Sequence, residues 1–346
     1  MQGVALATLS AATIDVALDV PRMRQMSLGM TAYAEELTAR LPRVAPDLSF
    51  APLVRTSALD LAEQFALPLR LRRMRPRLTH FLSVYTPAFP PQPYVLTIHD
   101  LIHLRFPEQF KKSVGPYYRT VVRAASARAA RIITDDERTI EDLERYLHIA
   151  PAKVSVVPLG VNDVFREDVA PAIEPSPYFL FVGNHRSHKD LTTLFAAWEA
   201  LPPEVDVDLL VTGEDDLETG FPRPQRSHGS LRFLGDVDAG RLAGFYRGAV
   251  ALVHPALREG FGLPMLEAAA VGCPVIACED AVPTVLQPFA AVFPARDVRL
   301  LGQLMARALS GSAPRADTRV YARGLTWDRC AERTAEVYRV VLKEDR

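Results

Sequence analysis

The sequence predicts an α/β protein made of two Rossmann-like domains. Three observations carry this. Short apolar runs alternate with segments of helical period along most of the 346 residues, as in chains that alternate strand and helix. A Pro- and acid-rich stretch, REDVAPAIEPSP at 166–177, separates two such series. Residues 254–278 read as a loop, a helix and a strand in one continuous unit. The expected division is 1–165, 166–326 and a terminal helix at 327–346.

Residues 13–18, TIDVAL, read as the first strand, followed by a loop and a helix over MTAYAEELTARL. A second strand is expected at 79–84, then a Pro-rich loop, then a buried strand at 94–98. His99 and Asp100 fall at the carboxyl end of that strand, where open α/β sheets bind ligands. His99 reads either as a satisfied structural histidine or as a site residue, and Asp100 as the cap of the next turn. Residues 114–131 form a helix with Arg119 and Arg123 on one face. Strand 132–134, a helix at 139–147 with acidic residues early, and strand 154–157 complete the first half.

The second half opens with a strand at 178–182 and a strand-to-helix turn carrying Gly183, Arg186 and Lys189. A lysine at such a turn is either a surface residue or an ammonium for a diphosphate, supported by N-terminal amides. Strands follow at 207–211, 231–235 and 249–254, with helices at 242–248, 300–309 and 327–342. Asp206-Val207-Asp208 and Asp236-Val237-Asp238 imitate a metal-binding pattern. One opens a strand and the other sits in a surface turn, so no metal and no cofactor are expected.

The unit at 254–278 is the most informative. Gly260 and Gly262 bracket Phe261, which lets the backbone come close to a ligand. Leu263 and Pro264 fit the first turn of a helix, and Gly272 fits its end. The helix start directs bare N–H groups at the loop, which suits a phosphate. Glu259 precedes the loop and Glu267 lies one or two turns into the helix, so both carboxylates are placed to accept hydrogen bonds from hydroxyls of one ligand. Phosphate beside hydroxyls describes a nucleotide sugar. The same pattern also fits an ordinary turn between strand and core helix with two solvated glutamates.

EGFGLPMLEAAAVGCPVIA as a whole resembles the signature of retaining glycosyltransferases of family 4. TIHDLIHLRFPEQF and PLGVN resemble the matching parts of that family's first domain, and TWDRCAERTAEVYRVVL its terminal helix. The resemblance implies the GT-B fold: two Rossmann-like domains facing across a cleft, with a C-terminal helix crossing back to the first. It implies that Glu267 holds the donor ribose, that Glu259 and His99 frame the donor sugar, and that loop amides from Gly260 to Leu263 hold the distal phosphate. Gly183, Arg186 and Lys189 complete the diphosphate site, and Gly29 marks the loop of the first domain that approaches the donor. Retention in this family proceeds with the leaving phosphate assisting the acceptor. Mannosyltransferases of surface-polysaccharide assembly share the TIHDL type, which favours GDP-mannose as donor and a glycan or lipid-linked saccharide as acceptor. Thr31 and Ala32 replace a glycine and an arginine of the family pattern. His188 replaces an arginine, and Thr284 replaces a glutamate. Those departures keep two alternatives in view: a nucleotide-sugar-binding scaffold without transfer activity, and a nucleotide-sugar 2-epimerase of the same fold.

Composition limits the setting. Hydrophobic residues make up 49% and charged residues 23%, as in globular proteins, and no apolar run is long enough to span a bilayer. Three cysteines, an odd number, read as buried thiols in a reducing compartment. The expected location is the cytoplasm, with peripheral contact at the inner face of the cell membrane. Net charge is −1, yet residues 1–165 carry 20 Lys and Arg against 16 Asp and Glu. Arg70, Arg72, Arg73, Arg75 and Arg77 concentrate that excess. They read either as a solvated face or as a patch for anionic lipid or a pyrophosphate-linked acceptor. No nucleic-acid partner is expected.

Overall fold

The structure is a computed structural model that describes residues 13–21, 26–55, 62–166, 168–217, 221, 223–311 and 318–344. The apolar extension at 1–12 lies outside them. Contacts divide the chain into two compact units, Met1–Thr97 with Val121–Ile132 and Ala331–Arg346, and Ile98–Thr120 with Ile133–Cys330.

The first parallel sheet runs through β1 (Val16–Pro21), α1 (Leu28–Val44), β2 (Phe50–Arg55), α2 (Glu63–Met74), β3 (Leu78–Phe81) and β4 (Tyr94–Thr97). Short helices α3 (Ile102–Arg105), α4 (Val114–Tyr117) and α5 (Arg123–Arg128) follow, the last two joined by a π-turn at Tyr118–Val122. β5 (Arg131–Thr134), α6 (Arg138–Asp142) and β6 (Val154–Val156) close the series, and the strand order is β2-β1-β3-β4-β5-β6. The first strand lies three residues beyond the expected 13–18. Ser49 ties down Asp15 instead, its N–H donating to Oδ2 at 2.9 Å, so pairing begins at Val16 with Phe50 and Leu78. The expected strand at 79–84 shortens to Leu78–Phe81.

β2 and α2 were not legible in the sequence. Pro52 and Pro68 interrupt both, and propensity disfavours each. Tertiary packing overrides this, because Leu53 is buried in β2 and Leu67, Pro68 and Leu71 are buried on α2. In this unit Tyr338 of the terminal helix meets His80 Nδ1 at 2.6 Å, and His80 Nε2 meets Thr97 Oγ1 at 2.8 Å.

The second sheet comprises β7 (Tyr178–Phe181), β8 (Asp208–Val211), β9 (Leu231–Phe233), β10 (Ala251–His254), β11 (Val275–Cys278) and β12 (Ala291–Phe293). Its helices are α7 (Leu191–Glu199), α8 (Ala239–Gly248), α9 (Leu263–Val271), α10 (Val298–Leu309) and α11 (Thr318–Arg323), while α12 (Trp327–Glu344) belongs from Ala331 onward to the first unit. Strand order β12-β11-β10-β7-β8-β9 reverses between β7 and β10, the doubly wound pattern whose crevice takes ligands at the strands' carboxyl ends. Phe179, Phe181, Trp198, Val253, Ile276 and Met305 pack the core beneath that point. The Asp-x-Asp pairs have structural partners. Asp208 Oδ1 accepts from Ser230 N at 2.8 Å, and Asp238 caps α8 by accepting from Arg241 N at 3.0 Å.

Candidate active site

The site grows from the reversal between β7 and β10. After β7 the chain turns through Gly183 into a single helical turn, Ser187–Lys189, and Asp190 starts α7 with φ of 53°. After β10 the loop 255–262 leads to α9. Gly262 begins that helix with φ of 79°, a left-handed backbone that any side chain would strain, so the position favours glycine. Gly260 is not in the left-handed region. Its hydrogen faces Asp100, and a Cβ there would come within 3.1 Å of Asp100 Oδ2. The glycines therefore do different work: one turns the chain into a helix and the other lets the loop pass the His99–Asp100 corner. Phe261 is buried, and Leu263 is the first residue of α9. The Leu257 N–H donates to His188 O at 2.8 Å and ties the two loops together.

The structure joins Lys189 and Glu259 directly. The Lys189 ammonium donates to Glu259 Oε1, and His254 Nε2 meets the same oxygen at 2.6 Å. Burial alone raises a carboxyl, but here Lys189 and His254 outweigh it and hold Glu259 well below the usual carboxylate range. Glu267 lies on the second turn of α9 and does not share that partner. Tyr246 of α8 donates to its Oε2 at 3.0 Å, and burial pushes Glu267 up to about 7. The two carboxylates thus differ in charge state near neutrality: Glu259 is ionised throughout, while Glu267 titrates.

His99 Nδ1 meets Asp135 Oδ2 at 2.7 Å. Asp100 caps the following turn, its Oδ1 accepting from Ile102 N at 3.0 Å, and burial raises its carboxyl. His188, at the position where the family pattern has arginine, is buried and bound twice to Gln109 Oε1, through N at 3.1 Å and Nδ1 at 2.9 Å. Burial, with Lys189 next to it, pulls His188 down to about 4, so it brings no positive charge at neutral pH. Arg186 lies over the Phe110 ring, 5.6 Å from its centroid. Thr284, the other departure, binds Asp136 through its N–H at 2.7 Å and its hydroxyl at 3.0 Å. Arg258 is buried and donates to Arg138 O at 2.9 Å and Asp142 Oδ2 at 3.1 Å.

Of the residues expected at the site, His99, Gly183, Arg186, Lys189, Glu259, Gly260, Phe261, Gly262, Leu263 and Glu267 fall in one compact unit. Gly29 belongs to the other. It lies in the first turn of α1, and the helix already begins at Leu28. The partners His254, Tyr246, Asp135 and Gln109 were not anticipated. None shares a helical or strand period with the residue it binds, so no local pattern announces them. Among the described residues, no group of three or more His, Cys, Asp or Glu side chains is placed to hold a metal ion.

A family model described as Glycosyl transferases group 1 matches residues 176–310, and one described as Glycosyltransferase Family 4 matches residues 29–165. Between them they match well over half of the chain. The chain belongs to glycosyltransferase family 4. Among curated relatives, O-antigen chain mannosyltransferase RfbU of Salmonella typhimurium is 26% identical over 52% of this chain and 50% of its own length. O-antigen chain mannosyltransferase B of Escherichia coli is 24% identical over 71% of this chain and 70% of its own length. This family 4 chain therefore spans half to seven-tenths of the length of those relatives. Anabaena HepE in complex with UDP-glucose superposes with a TM-score of 0.70 at 13% identity, covering 94% of this chain and 99% of that one. At that identity the likeness concerns the fold, which is GT-B.

Proposed function

We propose that this chain is a retaining, metal-independent glycosyltransferase. It moves a hexose, mannose by preference, from a nucleotide diphosphate sugar to a glycan or lipid-linked saccharide in surface-polysaccharide synthesis. The observation that carries this is the Lys189–Glu259 pair between β7 and β10, beside the N-terminus of α9. A cation and bare helix amides receive the diphosphate, Glu267 receives the ribose, and Glu259 and His99 frame the sugar. The glycosidic bond to the leaving phosphate breaks, the acceptor hydroxyl attacks from the same face, and its proton passes to the leaving phosphate oxygen. Lys189 and the helix amides offset the leaving-group charge, which supports chemistry without a metal. The mannose preference rests on the names of the relatives.

The acceptor reading extends to a membrane surface. On α2, Phe65, Leu69 and Arg73 share one exposed face at i, i+4 and i+8, with Phe65 79% exposed. Phe89 is also exposed, and its loop is tied to the start of α2 by Gln64 Oε1 accepting from Ala88 N at 3.1 Å. Arg70, Arg72 and Arg75 are exposed around that face, while Arg77 donates to Asp15 at 2.7 Å. Among the described residues no helix is long and apolar enough to cross a membrane. We place the protein in the cytoplasm, touching anionic lipid through this face.

A thermal-shift screen of GDP, UDP, dTDP and ADP tests the site. The matching nucleotide at 100 times its dissociation constant adds about 2.7 kcal/mol. Transfer in excess chelator, with the product's anomeric configuration read by NMR, tests the reaction. No shift with any nucleotide, an inverted product, or activity restored only by a divalent ion each overturns its part.

A further inference from the structure

The proposed donor site contains a conflict of charge, and the inference that follows rests on that reading of the site. Lys189 is to meet a diphosphate, yet its ammonium is bound to Glu259. Releasing Lys189 leaves Glu259 buried with one partner fewer, and a buried carboxylate without a donor is strongly disfavoured. The remaining donor is His254. It is fully buried at the end of β10, and its ring lies parallel to Phe181 at 6.2 Å between centroids. Its Nε2 meets Glu259 Oε1 at 2.6 Å, while its Nδ1 has no hydrogen-bond partner among the described residues. Burying an imidazole with one nitrogen unpaired is unfavourable, and its neighbours Phe181, stacked on the ring, and Ala277, paired with it across the sheet, are apolar. Packing therefore gives no reason for histidine at this strand end. The bond to Glu259 does.

We propose that His254 is a positioning residue that anchors Glu259 while Lys189 exchanges that carboxylate for the diphosphate of the donor. Lys189 sits on a flexible four-carbon stem and can turn. His254 is fixed by the strand and by the Phe181 ring. Without His254, Glu259 depends on Lys189 alone and retains it against the phosphate. The consequence is specific to the second phosphate, since a nucleoside monophosphate does not require the exchange.

Isothermal titration with GDP, UDP, dTDP and ADP, and with their monophosphates, finds the pair that wild type binds. His254→Phe keeps the ring packing and removes the donor. It weakens diphosphate binding about tenfold, the loss of one charge-assisted hydrogen bond, and leaves the monophosphate nearly unchanged. His254→Gln, which retains an N–H, stays close to wild type. Adding Glu259→Gln to His254→Phe restores diphosphate binding, because no charge holds Lys189 back. A His254→Phe protein with the wild-type ratio of diphosphate to monophosphate affinity overturns the inference and leaves the donor site standing. If circular dichroism shows that His254→Phe is unfolded, Glu259→Gln alone decides. A raised diphosphate preference supports the exchange, and an unchanged or lowered one overturns it. Wild type that binds none of the four diphosphates overturns the donor site and this inference together.

Discussion

Each sheet carries a buried ion pair at the carboxyl ends of its strands, next to the point where strand order reverses, and the two pairs differ in build. Asp19 of β1 and Arg55 of β2 face each other in a bidentate bond, 2.5 Å at each contact, and Arg55 also donates to Tyr85 O at 2.5 Å. Both ends are on strands, and their side chains are 0% and 2% exposed. Burial pushes Asp19 up to about 6 against the pull of Arg55. Lys189 stands at the end of a single helical turn and Glu259 on a loop, with side chains 10% and 12% exposed. One oxygen of Glu259 serves two donors. The first pair is sealed and complete. The second can open, since Lys189 can leave without stranding Glu259. One pair ties two neighbouring strands together, and the other is placed for an exchange of ligands.

Breaking the sealed pair has the largest expected effect. Arg55→Met leaves Asp19 buried without its partner, so the carboxyl must take up a proton or stay charged with no cation, which destabilises by about 3–5 kcal/mol. Denaturant unfolding of the whole chain measures it, and a loss under about 1 kcal/mol means the pair is solvated. Lys189→Met removes the cation of the open pair. Nucleoside diphosphate affinity is expected to fall at least tenfold, from the loss of a charge-assisted hydrogen bond of about 1.5–3 kcal/mol, with a smaller change in unfolding than Arg55→Met. Equal effects of the two variants on stability would erase the contrast.

Glu267 sharpens it further, because it lacks a cation. Its carboxyl is raised above the unfolded value of 4.5 to about 7, so the folded protein holds the proton more tightly. That contribution to stability is present below about pH 4.5 and is lost as pH rises through about 7. Glu267→Gln should gain in melting temperature relative to wild type over this window, by on the order of 5 °C. The ionised form accepts ribose hydroxyls better, so wild-type nucleotide affinity should rise over the same range. A flat affinity profile would remove Glu267 from the ribose. The smallest effect belongs to the exposed arginines. Changing Arg72, Arg73 and Arg75 to Gln should abolish binding to anionic vesicles at low salt, where each contributes about 1 kcal/mol, and leave nucleotide binding intact. Wild type that ignores such vesicles would reduce this face to solvated charge.

Much of the second sheet was legible because its strands are continuous apolar runs flanked by turn residues, and its turns carry glycines at the positions that need them. Gly272 and Pro264 mark the two ends of α9 as local chemistry requires. β2 and α2 were hidden because prolines weaken their local preference and only burial of Leu53, Leu67 and Leu71 decides them.

By itself the sequence determined the α/β class and the two Rossmann-like series, which follow from period and turn chemistry within short windows. The motif at 254–278, with Lys189, Glu259, Glu267 and His99 as candidate site residues, came from residue type together with the resemblance to family 4. Partners were decided by the tertiary structure alone. His254 joins Lys189 at Glu259, Tyr246 binds Glu267, Asp135 binds His99, and Gln109 binds His188. Such pairs arise where strands and loops distant in sequence meet at the edge of a sheet, and the charge of each group depends on burial there. That is why Glu259 and Glu267, two glutamates of one motif, end in opposite electrostatic states.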